Sequence, residues 1–440
     1  MNYRILLLLI FLPLVFACKD TRDFFNDVTN PGSSPYVAIG DSLTAGVQSD
    51  GIVDNFQFNN FPFLISQQLG INGFEQPTVK SPGIGFEPGK TPLMFDNGVI
   101  LREDLDVNDP TDLFDNFFLD RPYDNLGIPG ARLVDVQSTS QLLFELVLRG
   151  MGTQIEQAIE LDPNLITLWI GNNDVLGAAK QGGDLSKITP ASQFENDFND
   201  ILDRLTTETD ADIIVANIAN VTDIPFVNFL DRIFRTVPQL GIDQPVPVVF
   251  GQDFNTIDFG NGLYIPLTTQ ETDTEHLLVS VLDSYFNNGT GIPDQQKLMD
   301  MGFSMSEASG IVSQMQAGGL NPSGTVITGG QTLNTNEKTS IQNSVNDFND
   351  IISSAAASFG IPVVDINALL QEINSSGIDG YTGNFVLDDP ENTAFSLDGV
   401  HPDNAGYAII SNRFIQKINQ SFGMTIPLID TQQFRGQYGN

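Results

Sequence analysis

Four short runs of the chain are almost wholly apolar: Tyr36–Gly40 (YVAIG), Leu165–Ile170 (LITLWI), Asp212–Ile218 (DIIVANI) and Ile361–Ile366 (IPVVDI). A strand covered on one face alternates apolar and polar residues. A strand covered on both faces is apolar throughout, so these runs predict buried parallel strands. A weaker fifth strand is expected near Tyr123–Ile128. Between the runs the period changes. Gln141–Leu161, Ser192–Thr207 and Lys338–Phe359 carry apolar residues at three-to-four spacing, the pattern of helices with one buried face. Strands alternating with helices predict an α/β domain with a mostly parallel sheet.

Two stretches break the alternation. Residues 47–122 are rich in Phe, Pro, Gly and Asn. Residues 224–335 hold a candidate hairpin, Val246–Leu267, and a Met-bearing segment, Gln295–Gln316. Both read as long insertions into a compact core. Such insertions either shape a substrate site or merely cap the sheet. The N-terminus, MNYRILLLLIFLPLVFACKD, has the order of a signal peptide: charged Arg4, the apolar run Ile5–Phe16, then small Ala17. That run is shorter than the roughly 20 apolar residues a membrane-spanning helix needs. The single cysteine, Cys18, follows Val15-Phe16-Ala17, which resembles the lipobox of bacterial lipoproteins. The resemblance implies a signal peptide over 1–17, lipidation at Cys18 and membrane attachment through the lipid. Lys19, rather than Asp, follows, which points by the same resemblance to a lipoprotein of the outer membrane in a Gram-negative cell envelope. Residues 18–35 are polar, end in Pro, Gly and Ser, and read as a tether. Residues 36–440 form the expected folded domain with its insertions at about 47–122 and 224–335.

Composition narrows the function. At 41% apolar and 17% charged residues, the chain can build a packed core. Its formal charge of -36 repels phosphate backbones, so general nucleic-acid binding is not expected. One cysteine cannot form an internal disulfide or a Cys-based metal centre, and two histidines leave few candidates for a general base.

Four motifs carry candidate chemistry. Gly40-Asp41-Ser42-Leu43 stands directly after the first strand, where a serine hydroxyl is free and a helix start offers N–H groups. The same tripeptide also makes ordinary turns. Asp398-Gly399-Val400-His401 places a carboxylate where it can hold an imidazole tautomer while the other nitrogen faces a serine. In isolation such a histidine is more often a satisfied surface residue. Gly171-Asn172-Asn173-Asp174 follows the LITLWI strand, so a side-chain amide there can donate to an oxyanion or cap a helix. Asn125-Leu126-Gly127-Ile128-Pro129-Gly130 ends in a glycine whose N–H is unobstructed, or is simply a turn. Three of the four follow expected strands, at the sheet edge where open α/β sheets bind ligands.

The order and spacing of these motifs resemble the SGNH/GDSL hydrolase superfamily, whose blocks run G-D-S-L, a glycine, G-x-N-D and D-x-x-H. The resemblance covers roughly 36–46, 123–222 and 336–418. It implies a three-layer α/β/α, flavodoxin-like fold with a mostly parallel five-stranded sheet. It implies Ser42 as nucleophile, His401 as general base and then acid, and Asp398 as the residue orienting His401. The oxyanion hole would be the Ser42 and Gly130 N–H groups plus the Asn173 side chain, with no metal or organic cofactor. The expected activity is cleavage of carboxylic esters through an acyl-serine, on small-molecule or lipid esters in the manner of a lipase or lysophospholipase. A carbohydrate O-acetylesterase is the alternative, and a non-catalytic surface binding protein on the same scaffold a second.

Other candidates are read as structural. Asp41 suits helix capping, and Asp365 orders a loop. His276, the competing base, opens a helical pattern inside an insertion and has no motif around it. Asp104, Asp106, Asn108 and Asp115 partly follow a calcium-loop spacing, but Asp109 stands where that loop needs glycine, so a solvated acidic loop is expected. Phe56–Phe63 and Phe114–Phe118 could line an acyl groove and Met299–Met315 could form a lid; core packing of the insertions is the preferred reading.

Overall fold

The computed structural model describes residues 34–437 apart from 97–98, 108, 140–145, 231–248, 251–255, 259–262 and 271–273. The expected signal peptide, Cys18 and nearly all of the tether lie outside the described residues, as does Asn108. No helix among the described residues is long and apolar enough to cross a membrane.

Four parallel strands form the central sheet: β1 (Tyr36–Gly40), β2 (Leu165–Trp169), β3 (Asp212–Ala216) and β4 (Val363–Val364), in that spatial order. Register runs Ala38 to Thr167 across β1–β2, Leu168 to Val215 across β2–β3, and Val215 to Val363 across β3–β4. Tyr36, Val37, Ala38 and Ile39 are wholly buried, which is why the run is apolar at every position. The expected fifth strand is reduced to a single parallel bridge from Ala38 to Asn125. Ala38 N donates to Asp124 O, and Leu126 N and Ile128 N donate to Ala38 O and Gly40 O, but the Leu126 carbonyl is taken by Gln154 Nε2, so the pairing stays at one bridge. With that bridge counted, the segments lie in the flavodoxin-like order 2-1-3-4-5.

Helices cover both faces. Short α1 (Ser42–Ala45) follows β1, and α2 (Asn173–Lys180) follows β2. On one side α3 (Ala191–Glu208) packs along α4 (Thr335–Phe359), with the Phe194 and Phe348 rings stacked at 4.1 Å. On the other lie Phe61–Gln68 and α5 (Asn404–Phe422), where Phe61 stacks on Phe414 at 4.8 Å and meets Trp169 of β2 edge-on. The helix expected over Gln141–Leu161 is broken: Arg149, Gly150 and Gly152 take positive φ, and a new helix starts at Gln154 behind a Thr153–Glu156 capping box.

Within 224–335 the described residues build a second apolar core. Leu277, Val281, Tyr285, Ile311 and Met315 join Phe385, Leu387 and Leu397 from the stretch leading to Asp398. The expected hairpin is a three-stranded antiparallel sheet of Val249–Phe250, Thr256–Asp258 and Tyr264–Pro266. His276 is not helical. It lies in strand Thr274–Leu277, paired with Thr332–Asn334.

Candidate active site

The site forms at the carboxyl ends of β1 and β2, the topological switch point of this strand order. Gly40 is obligatory there: a β-carbon would lie 2.1 Å from Thr44 Oγ1 and 2.4 Å from Trp169 O. Asp41 caps α1 through Leu43 N at 2.9 Å and reaches across to Asn172 Nδ2, also at 2.9 Å. It therefore ties the two strand-end loops together, and burial pushes its carboxyl up to about 6.

The structure brings Ser42, His401 and Asp398 together from positions far apart in the chain. His401 Nε2 is 3.0 Å from Ser42 Oγ, and Nδ1 is 2.7 Å from Asp398 Oδ2. A carboxylate only accepts, so the imidazole proton sits on Nδ1 and Nε2 accepts from the serine hydroxyl. All three side chains are nearly buried. The Asp398 carboxylate is held by many donors: Val400 N and His401 N at Oδ1 (2.8 and 2.9 Å), Asp50 N at Oδ2 (2.7 Å), and Ser396 Oγ 3.2 Å from Oδ1. Burial alone would raise this carboxyl. Attraction to His401 and the hydrogen bonds from His401 and Val400 outweigh burial and hold it well below the usual carboxylate range. Gly399, at φ 68°, makes the sharp turn that aims both ends of the D-x-x-H motif inward.

Gly130 and Asn173 lie on the two loops tied to the ends of β1 and β2. Ile128 N donates to Gly40 O, which seats the 125–130 loop against the end of β1. Gly130 is exposed at φ 80°, with open space where a side chain would be. Asn173 Nδ2 donates to Ala131 O at 2.9 Å. The amide has two protons, so one remains available. Asp174 fixes the relation of these pieces by accepting from Leu133 N at 2.8 Å and Thr189 Oγ1 at 2.6 Å, and burial pushes it up to about 6.

Sequence reasoning missed three supports. Asp174 lies inside the G-x-N-D motif and was findable there. Ser396 and Asp50 carry no motif at all; only the folded chain places them on Asp398. The competing base is elsewhere: His276 is buried, with Nε2 2.9 Å from Lys338 Nζ. Asp365 caps the helix Ile366–Ser375 and accepts from Asn217. In the acidic loop Asp104 pairs with Lys90 and Asp109 caps a short turn at Thr111.

A cavity of about 940 Å³ opens beside Asp398 and Val400. Phe226, Leu282, Phe286, Phe385 and Leu397 supply its apolar wall, and Lys90, Arg102 and Lys180 its cations. A smaller apolar cavity of about 90 Å³ touches Leu43, Val400 and Pro402, the residues flanking Ser42 and His401. Neither Phe-rich piece nor the Met segment lines either cavity. Phe56 and Phe61 are core residues, and Phe118 is exposed.

Residues 36–414 match the family model described as GDSL-like Lipase/Acylhydrolase. Similar solved structures include the lipase/acylhydrolase from Enterococcus faecalis, at 10% identity, 90% of this chain, 98% of that chain and a TM-score of 0.33. An acetylxylan esterase from Geobacillus stearothermophilus has 11% identity, covering 91% of this chain and 99% of its own, with a TM-score of 0.35. An extracellular lipase from Streptomyces rimosus has 12% identity, 88% and 98% coverage and a TM-score of 0.34. A search among curated proteins gave no match. With the family model running from β1 into α5, the chain belongs to the GDSL-like lipase/acylhydrolase family.

Proposed function

We propose that the protein is a serine hydrolase that cleaves carboxylic esters through an acyl-serine intermediate. The observation that carries this reading is the unbroken hydrogen-bonded line Ser42–His401–Asp398. Ser42 Oγ attacks the ester carbonyl as its proton passes to His401 Nε2. Asp398 keeps the tautomer and stabilises the imidazolium. The Ser42 and Gly130 N–H groups and the second Asn173 amide proton take the developing oxyanion. His401 then returns the proton to the departing alcohol. A water attacks the acyl-serine by the same route in reverse and frees Ser42.

The apolar wall of the 940 Å³ cavity supports acyl esters longer than acetate as substrates. A second reading, an O-acetylesterase acting on carbohydrate, is favoured by the 90 Å³ cavity beside Leu43, which is smaller than the roughly 150 Å³ that holds a benzene ring. Lipidation at Cys18 and an outer-membrane location belong to the same proposal, supported by the signal-peptide order of residues 1–17. Hydrolysis of p-nitrophenyl esters from acetate to palmitate by the protein lacking residues 1–18 tests the substrate reading. An optimum at medium or long chains is expected, and an optimum at acetate would favour the second reading. Activity retained by Ser42→Ala would contradict both.

A further inference from the structure

We propose that the Arg102–Asp50 ion pair is a positioning device for Asp398: it holds a turn whose backbone N–H fixes the orientation of the carboxylate that serves His401. The proposal rests on the Ser42–His401–Asp398 reading and adds to it a residue of the 47–122 stretch.

The turn is unusual. Gln48 N donates to Gly51 O at 3.1 Å and Gly51 N returns a bond to Gln48 O at 3.0 Å, so Ser49 and Asp50 are the two central residues of a tight turn. Their φ values are 52° and 53°. Turns with positive φ at both central positions normally carry Asn-Gly or Asp-Gly. Here neither residue is glycine, and a β-carbon in the left-handed region is disfavoured unless the surroundings over-determine it.

Both N–H groups of this turn point at the catalytic loop. Asp50 N donates to Asp398 Oδ2 at 2.7 Å, the same oxygen that takes the His401 Nδ1 proton at 2.7 Å. Ser49 N donates to Ser396 Oγ at 2.9 Å, and that hydroxyl lies 3.2 Å from Asp398 Oδ1. The remaining donors to Asp398, Val400 N and His401 N, come from its own loop. Among the described residues, Asp50 N is therefore the donor that ties Asp398 to the rest of the molecule. Two donors on one carboxylate oxygen from different directions stop the group from rotating about its bond to the β-carbon. Rotation would break the tautomer lock on His401.

The turn is held by the surrounding stretch 86–102, in which Arg102 supplies the ion pair. The Arg102 guanidinium pairs with the Asp50 carboxylate through Nη2, and its Nε is 3.4 Å from Glu87 Oε2. Nη1 lies 3.5 Å from both Asp50 O and Thr91 O. Phe86 N donates to Asp50 O at 3.0 Å and Leu93 N to Ser49 O at 2.7 Å. The arginine is 16% exposed and lines the large cavity together with Asp50 and Asp398. An ion pair this well sheltered keeps its geometry better than a surface pair.

The test uses Arg102→Ala, Arg102→Lys and the double variant Arg102→Ala/Asp50→Gly, with Ser42→Ala beside them, all assayed on one p-nitrophenyl ester below their melting temperatures. Arg102→Ala is expected to lower kcat about ten- to hundred-fold with little change in KM, and to weaken the far-downfield proton resonance of the His401–Asp398 bond. Arg102→Lys restores part of kcat. The double variant restores more, because glycine accepts the positive φ unaided and still supplies the N–H. A pair that only walls the cavity or stabilises the insertion would not be rescued by glycine at position 50. Undiminished kcat in Arg102→Ala, or loss of kcat that glycine fails to rescue, overturns the proposal. Activity surviving in Ser42→Ala would instead overturn the hydrolase reading on which it rests.

Discussion

At the residue scale the account turns on how a serine becomes reactive. Among the described residues Ser42 has one proton acceptor, His401, and His401 has its second nitrogen committed to Asp398. Removing the base in His401→Ala should lower kcat by about 10²–10⁴-fold, measured by ester hydrolysis at saturating substrate. His276→Ala should leave turnover unchanged, since that ring sits on Lys338 in another part of the molecule. Equal losses in the two variants would mean the base is misassigned. Asn173→Ala should cost about 100- to 1000-fold in kcat with a smaller change in KM, because its bond is made to the oxyanion and not to the resting ester. Ser42, His401 and Asp398, which the fold joins in one hydrogen-bonded line, were legible in the sequence, since each lies in a short motif at a strand end or a turn. Asp50, Ser396 and Arg102 were not. They act through backbone N–H groups, a hydroxyl and an ion pair, and such contacts leave no residue-type signature at a fixed spacing.

At the scale of elements, α5 delivers the end of the catalytic loop, and its cap makes a pH prediction. Asp403 caps α5 at Gly406 N (2.8 Å), and burial pushes its carboxyl from 3.8 up to about 7. A carboxyl raised in the folded state favours the neutral form on folding. Its contribution is complete below about pH 3.8 and is lost as pH rises through about 7. Asp403→Asn keeps a capping oxygen and removes the titration. Urea unfolding at pH 5 and pH 8 should therefore show a smaller loss of stability toward alkali in the variant than in the parent. Asp41 and Asp174, both near 6 for the same reason, keep the difference from vanishing. An unchanged pH dependence would place the Asp403 proton elsewhere. The four sheet strands were readable because burial on both faces makes them apolar throughout. The edge segment near Asn125 was placed by the sequence, but not its reduction to one bridge, because that depends on Gln154, distant in the chain, taking the Leu126 carbonyl. The helical pattern expected from His276 starts only at Val281, because strand Thr274–Leu277 is too short to show a period of two.

At the scale of the molecule, two features stand out. The second apolar core reaches from residues 277–315 to Phe385, Leu387 and Leu397, so the 224–335 stretch is packed onto the segment that ends in Asp398. Its extent could be bounded from the broken alternation of strands and helices, but not its form, since short strands joined by long connections give no sustained periodicity. The formal charge of -36 is the other feature. Self-repulsion on that scale opposes the compact state, and salt screens it. The melting temperature should rise as NaCl goes from about 10 mM to about 150 mM, where the screening length falls from about 30 Å to about 8 Å. A flat response would mean that the acidic groups are already compensated locally.

The most direct test of the central claim is covalent capture of the nucleophile. An alkyl phosphonate that mimics the tetrahedral intermediate should react stoichiometrically with the folded protein, and peptide mapping by mass spectrometry should find the adduct on Ser42. The reaction should be abolished in His401→Ala, which keeps Ser42 but removes its base. Labelling of any other residue, or labelling of Ser42 that persists at full rate without His401, would contradict the mechanism proposed for this site.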